Sequence, residues 1–433
     1  MLGMLALLLP LHALCLHFYP KADLDPWLLS DYWPMSVFHF CAPKRWDWIW
    51  VFATLGLYLG LRKKLQQAGW AWQLLGAFGL VALSNLIHGW QFGLDFATAG
   101  SGDDGIEYFQ DALAIKGPLW FLRHFHALQP ALLVHAKTHP PGPVLLYWIL
   151  ERLLRTPTLI SLGVAFLSLA LNLSAWRRLM DLAGLPQKNK PSLTLLYTVL
   201  PSVMIYYLAV MDAVLAGVLA WALVAFLDED SRGSSLWLIF WLCLASLLSF
   251  GFLFIAPVLA GLVLWRRKGF ARLAWSGAGL LLTWLLLWKL SGFNYFRGFR
   301  TASFLENEEG FLLFCNPRGY LWYRLGAVLE IAIYLTPFLA LQIPSGLRAA
   351  RTQAPLASHL FWLGTASVLA MLLSGAMKIG EASRICMFLV PYLMLPIAAR
   401  VSGPKVSDAD RLRLTDWVFG MAFVMQVGGF YQW

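Results

Sequence analysis

Apolar runs of membrane-spanning length, parted by short polar turns, recur along almost the whole chain. A helix needs about 20 mostly apolar residues to cross the hydrocarbon layer. Runs approaching that length lie at 2–17, 48–62, 69–88, 157–175, 191–208, 210–227, 235–249, 250–265, 272–290, 322–342, 356–376, 384–400 and 414–432. They predict an all-α polytopic membrane protein with about 11–13 transmembrane helices. Two pairs, 191–227 and 235–265, have almost no linker and predict tight helical hairpins. Their hinges fall near Val210-Met211-Asp212 and Ser249-Phe250-Gly251. The run from Met1 to Leu16 lacks a basic flank and a small-residue cleavage site, so it is expected to be a retained first span.

The first long polar loop departs from this pattern. Within it, Tyr108–Ile115 and Pro118–Val134 carry aromatic and leucine residues at helical spacing, interrupted by charges. That combination predicts amphipathic helices lying in the interface plane. Basic residues in the short loops (Arg62-Lys63-Lys64, Arg177-Arg178 with Lys188 and Lys190, Arg266-Arg267-Lys268, Arg348 with Arg351, Arg411 with Arg413) alternate onto one side, which is expected to be cytoplasmic. The Asp103–His139 loop, the Asp212 hinge, the 291–321 loop and the Gly380–Arg384 turn then share the outer face. No internal repeat or soluble domain is evident. Residues 1–68 read as an appended helical pair with an outer loop, 69–400 as the core, and 401–433 as a cytoplasmic linker and last span.

Composition agrees with a membrane protein. The 433 residues are 59% hydrophobic and 13% charged, against about 25% charged in soluble domains; mean hydropathy is +0.64. The net charge of +10 bears on topology and anionic lipid, and the absence of a basic recognition helix or RNA-binding signature argues against nucleic acid. Five cysteines (Cys15, Cys41, Cys243, Cys315, Cys386) lie far apart without a CxxC pair, which argues against a zinc knuckle or disulfide framework; Cys41 and Cys315 can both face outward.

Candidate chemistry concentrates in the outer loops. Asp103-Asp104-Gly105-Ile106-Glu107-Tyr108 places carboxylates beside the bilayer, where one can act as general base toward an acceptor hydroxyl; ordinary capping of the following helix is the alternative. Thr138-His139-Pro140-Pro141-Gly142-Pro143 holds His139 at a rigid turn, at the mouth of the next span. Four of the nine histidines, His124, His126, His135 and His139, fall in this loop. The first three are candidates for a divalent metal, or simply interfacial residues. Lys289, Arg297, Arg300, Arg318 and Arg324 make the second outer loop basic, suited to a phosphate-linked substrate or to anionic headgroups. Glu381 with Arg384 can form an ion pair or hold a phosphate, and Asp212 is expected to cap its helix.

The ordered set resembles the GT-C superfamily of integral membrane glycosyltransferases, in the branch with protein O-mannosyltransferases and the lipid A aminoarabinose transferase. Asp104-Gly105-Ile106-Glu107-Tyr108 is similar to that branch's Asp-Glu-x-x-Tyr motif, with Gly105 in place of the acidic second residue and Asp103 one position early. His139-Pro140-Pro141-Gly142-Pro143-Val144-Leu145-Leu146-Tyr147-Trp148 resembles the turn and helix that close the family's loop, and Gly380-Glu381-Ala382-Ser383-Arg384 resembles a pattern of its bacterial members. The likeness covers roughly 69–400.

It implies inverting transfer of a sugar from a polyprenyl-phosphate donor to a glycan, lipid or protein hydroxyl, at the outer face of a bacterial inner membrane. Asp104 or Asp103 would be the base, with Glu107 beside them. Tyr108, Lys137, His139, Arg318, Glu381 and Arg384 would contact substrate. A divalent metal is a possible cofactor. The competing reading is a non-enzymatic carrier of polyprenyl-linked lipids that uses the same groups without a base.

Overall fold

The computed structural model describes residues 34, 35, 38–100, 108–229, 233–306, 310–374 and 381–431. The protein is an all-helical membrane protein. Among the described residues the one sheet is a two-residue antiparallel ladder, His39–Phe40 with Gly429–Phe430. Four helical segments are long and apolar enough to cross a bilayer by length and composition: Trp70–His88, Pro157–Leu182, Phe270–Ser291 and Pro355–Leu373. Four shorter apolar ones are Met211–Leu227, Ser234–Leu248, Phe250–Arg266 and Met387–Val401. The first expected span, 2–17, lies outside the described residues.

Met211–Leu227 is the axis of the bundle. It is apolar all round and almost entirely buried, as a helix enclosed by other helices must be. Pro157–Leu182 and Ser234–Leu248 flank it. Its approach to Pro157–Leu182 depends on Gly217, where an added Cβ would stand 2.5 Å from Leu171 Cβ. Asn172 Nδ2 seals the same seam by donating to the Ala213 carbonyl at 2.7 Å. At the periphery, Phe270–Ser291 exposes Trp275, Leu281, Leu282, Leu285 and Leu286, a surface matched to lipid tails.

The two expected hairpins are not helix pairs packed on each other. Ser234–Leu248 packs on Met211–Leu227 and Phe270–Ser291, whereas Ile255–Arg266 packs on Pro355–Leu373. The 191–208 run is divided into Lys190–Thr198 and Pro201–Tyr206, lodged against Trp70–Asn85 and Asp408–Gly428. Pro201 lacks an N–H and holds Leu200 extended (φ −61°, ψ 140°), so the helix restarts. Irregular backbone at this depth requires protein partners. Asn85 Nδ2 at 2.9 Å and Gln426 Nε2 at 3.0 Å donate to the Met204 carbonyl, and the Tyr147 hydroxyl donates to that of Ala209 at 2.5 Å. Ala209 is left-handed at φ 58°. Every residue from 199 to 211 is buried.

The helices Trp48–Leu65 and Asp408–Gly428 pack together. Tyr58, on Trp48–Leu65, stacks on Phe419 with centroids 3.6 Å apart and donates to Asp416 Oδ1 at 2.7 Å; Arg62 pairs with the same carboxylate. Four of the basic loop runs thus have acidic partners: Arg62 with Asp416, Lys190 with Asp181 and Arg178 with Asp228, Arg266 and Lys268 with Glu229, and Arg411 with Asp408. Cys41 and Cys315 are exposed, and Cys386 is buried.

Candidate functional site

The first long loop is a layer of short helices, among them Phe109–Ala114, Pro118–Leu128, Val134–Lys137 and Gly142–Leu154. Helices stand where the two amphipathic segments were expected, the second ending before Pro130. Gly142–Leu154 has 13 residues and is too short to span. The His-Pro-Pro turn therefore opens onto another helix of this layer, and the next span begins only at Pro157. Pro140 and Pro141 set the entry, and Gly142 allows contact with a neighbouring backbone: an added Cβ would lie 2.1 Å from the Leu247 carbonyl oxygen.

Asp103, Asp104 and Glu107 lie outside the described residues. Tyr108, which follows them, is buried. Its ring meets those of His139 at 5.6 Å, Tyr147 at 6.0 Å and His135 at 6.2 Å. His139 Nδ1 lies 2.8 Å from the His135 carbonyl. That carbonyl can only accept, so the proton sits on Nδ1 and the neutral ring's Nε2 is its acceptor. Lys137, half-buried, ends the Val134–Lys137 helix, and its carbonyl accepts from Gln129 Nε2 at 3.1 Å.

Arg384 joins this layer to the bundle. Its side chain is only 5% exposed; Nε lies 3.5 Å from Asp212 Oδ2, and Nη2 pairs with Glu381. Nη2 also lies 3.4 Å from His135 Nε2, which must then be the accepting nitrogen. Asp212 is not the N-cap of its helix: that position is Val210, and Asp212 sits in the first turn facing Arg384. Glu381 is the N-cap of Ala382–Ile385 and is left-handed at φ 52°, a conformation rare outside glycine. Behind the turn stands Glu330, which sequence reading did not single out. Its Oε2 accepts from the Ala382 N–H at 2.9 Å, and its Oε1 lies 3.4 Å from Ser383 Oγ.

The 291–321 loop is largely the helix Tyr295–Glu306, and it docks on the first long loop. Asn294 N–H donates to His126 Nε2 at 2.8 Å, and Gln129 Nε2 donates to the Gly298 carbonyl at 3.0 Å. The His126 ring stacks on Phe293 at 5.6 Å. Burial, and then the positive charge of Arg297, push the His126 pKa below its usual value. Asp111 Oδ2 accepts from the Leu133 N–H at 3.1 Å; burial raises its pKa, and that hydrogen bond partly offsets the rise.

The metal candidates have three different partners. His124 bonds the Trp120 carbonyl at 2.8 Å, His126 bonds Asn294, and His135 meets Arg384. Among the described residues no group of three or more His, Cys, Asp or Glu side chains is placed to hold a metal ion. Arg297, Arg300 and Arg318 are exposed, whereas Arg324 is buried over the Tyr320 ring at 4.9 Å.

Tyr108, His135, His139, Asp212, Glu381 and Arg384 thus come together from three distant segments. The arrangement offers a guanidinium held between carboxylates, two oriented imidazoles, and the chain end of an acidic segment. No protein-family model matches the chain, and no curated protein matches it.

Proposed function

We propose that the protein is an inverting GT-C-type glycosyltransferase, moving a sugar from a polyprenyl-phosphate donor to an acceptor hydroxyl at the outer face of a bacterial inner membrane. The observation that carries this reading is the meeting of Tyr108, His139 and His135 with Arg384 and Asp212. Asp104 lies four residues before Tyr108, a tether of at most about 14 Å of extended chain. A base on that segment and a cation on the 381–384 turn are what displacement at a phosphate-linked carbon requires.

In this mechanism Asp104 or Asp103 takes the acceptor hydroxyl's proton as its oxygen attacks the anomeric carbon. The carbon–oxygen bond to phosphate breaks, and polyprenyl phosphate leaves. The developing negative charge is met by Arg384, and fixed charges of this kind usually supply the largest stabilisation. Phosphate oxygens match a guanidinium fork as carboxylates do, so the phosphate takes the place of Glu381. That side chain is 24% exposed against 16% for Asp212, which makes it the easier of the two to displace. The arginines of the second outer loop serve anionic headgroups or the donor's approach.

The base assignment is tested by single-turnover transfer with Asp104→Asn and Asp103→Asn in nanodiscs. One variant should lose turnover by about 100-fold or more while still binding polyprenyl phosphate. Wild-type rates in both would sink the mechanism.

A further inference from the structure

Glu330 lies in the apolar stretch Val328-Leu329-Glu330-Ile331-Ala332-Ile333 of the helix Pro317–Leu335 and is 1% exposed. A carboxylate there is costly and is retained for a purpose by default. Both of its oxygens address one turn. Oε2 accepts the Ala382 N–H at 2.9 Å, and Oε1 lies 3.4 Å from Ser383 Oγ, itself 3.3 Å from the Tyr206 hydroxyl. Ala382 opens the four-residue helix Ala382–Ile385, whose first amides have no carbonyl of their own to bond. Glu330 thus supplies from another helix the acceptor that Glu381, turned toward Arg384, does not. Arg384 is two residues beyond Ala382, and its own amide closes onto the Glu381 carbonyl at 2.9 Å. The direction of its guanidinium therefore depends on a turn that Glu330 holds from behind.

We propose that Glu330 is a positioning residue for Arg384: its carboxylate fixes the 381–383 turn and so sets the angle from which the guanidinium meets a lipid-linked phosphate. The identity of the ligand rests on the function proposed above; the coupling of Glu330 to the turn does not. Glu330 is no candidate base, because its oxygens are engaged by the turn and it is closed off from solvent.

Two readouts on the full chain in nanodiscs separate these claims. The first is hydrogen exchange without ligand. Glu330→Ala should speed exchange at 382–386 by about tenfold or more and leave the interior of Met211–Leu227 unchanged. Glu330→Gln keeps an oxygen for the Ala382 amide and should restore most of the protection. Unchanged protection at 382–386, or a loss spread across the bundle, overturns the proposal. Should Glu330→Ala not fold, Ser383→Ala removes one of the two contacts and should loosen the same segment more mildly; no loosening there has the same meaning.

The second readout is binding of undecaprenyl phosphate. Glu330→Ala should weaken it by about tenfold or more, and Glu330→Gln by less. The double variant Glu330→Ala/Arg384→Ala should bind no worse than Arg384→Ala, because Glu330 acts through that arginine. Additive losses refute the coupling. A wild type that does not bind this lipid removes the proposed ligand, while exchange still decides the role of Glu330.

Discussion

Arg384 can be tested as a structural element before any substrate is known. Its buried guanidinium is shared by Asp212, Glu381 and His135. Replacing it with Gln leaves two carboxylates beside one another without the cation they share. Breaking a buried ion pair by removing one partner costs about 3–5 kcal/mol. Both carboxylates reach some solvent, which places Arg384→Gln near the lower end, about 3 kcal/mol. Adding Asp212→Asn removes one of the two like charges and should return about 1–2 kcal/mol, because residues sharing a partner do not act additively. The assay is the apparent unfolding midpoint of purified protein in a single detergent, for wild type, both single variants and the pair. Stability of Arg384→Gln within about 0.5 kcal/mol of wild type, or a double variant worse than the sum of the singles, would refute the account of a shared buried cation.

Three further expectations concern the scaffold around the site. Gly142→Ala drives a methyl into the Leu247 carbonyl and should destabilise by about 1–3 kcal/mol, measured as the same midpoint; a neutral result would mean the two helices separate freely. Tyr147→Phe strips the donor from the buried Ala209 carbonyl and should cost about 1–3 kcal/mol, seen also as faster exchange at 207–212. The His126 joint should be pH-dependent. Its pKa is lowered in the fold, so below the ordinary value near 6.5 the unfolded chain takes up a proton that the folded one resists. The stabilisation is present above about 6.5 and is lost as pH falls through the window down to the folded pKa. Exchange at 293–298 should rise over that window in wild type and not in His126→Phe, which keeps the ring stacking on Phe293; equal profiles would remove His126 as the cause.

Much of the helical layout was legible because spanning runs and aromatic interfacial segments are local patterns. Apolar composition alone does not distinguish a continuous helix from one broken within a protein-filled interior. The break at Val199-Leu200 had a local sign in Pro201, but its satisfaction did not. Gln426, which bonds the Met204 carbonyl, is 222 residues away. Packing partners were equally hidden: adjacent runs such as Ser234–Leu248 and Ile255–Arg266 invite a hairpin, and each finds a better-fitting neighbour elsewhere.

At the site, Arg384, Glu381, His139 and Tyr108 stood out because charged and rigid motifs are rare in such a chain. Asp212 stood out too, but as a cap, since its partner lies 172 positions on in the numbering and only the fold brings Arg384 to it. Glu330 had a usable signal, a lone carboxylate inside an apolar run, but its partners at 382 and 383 lie more than fifty residues away and only the fold brings them to it. The buried phenol of Tyr147 and the methyl-sized space denied at Gly142 belong to a motif that was legible as a turn, while the surfaces it meets were not.

The central claim is that sugar is transferred from a lipid phosphate. It is tested most directly by measuring, for purified wild-type protein in nanodiscs offered a panel of polyprenyl-phosphate sugars and acceptors, the polyprenyl phosphate released against the sugar transferred. The account expects one donor to give equal amounts of both products over repeated turnovers. Donor lipid bound tightly and recovered intact, in the presence of every acceptor class, would contradict it and identify a carrier.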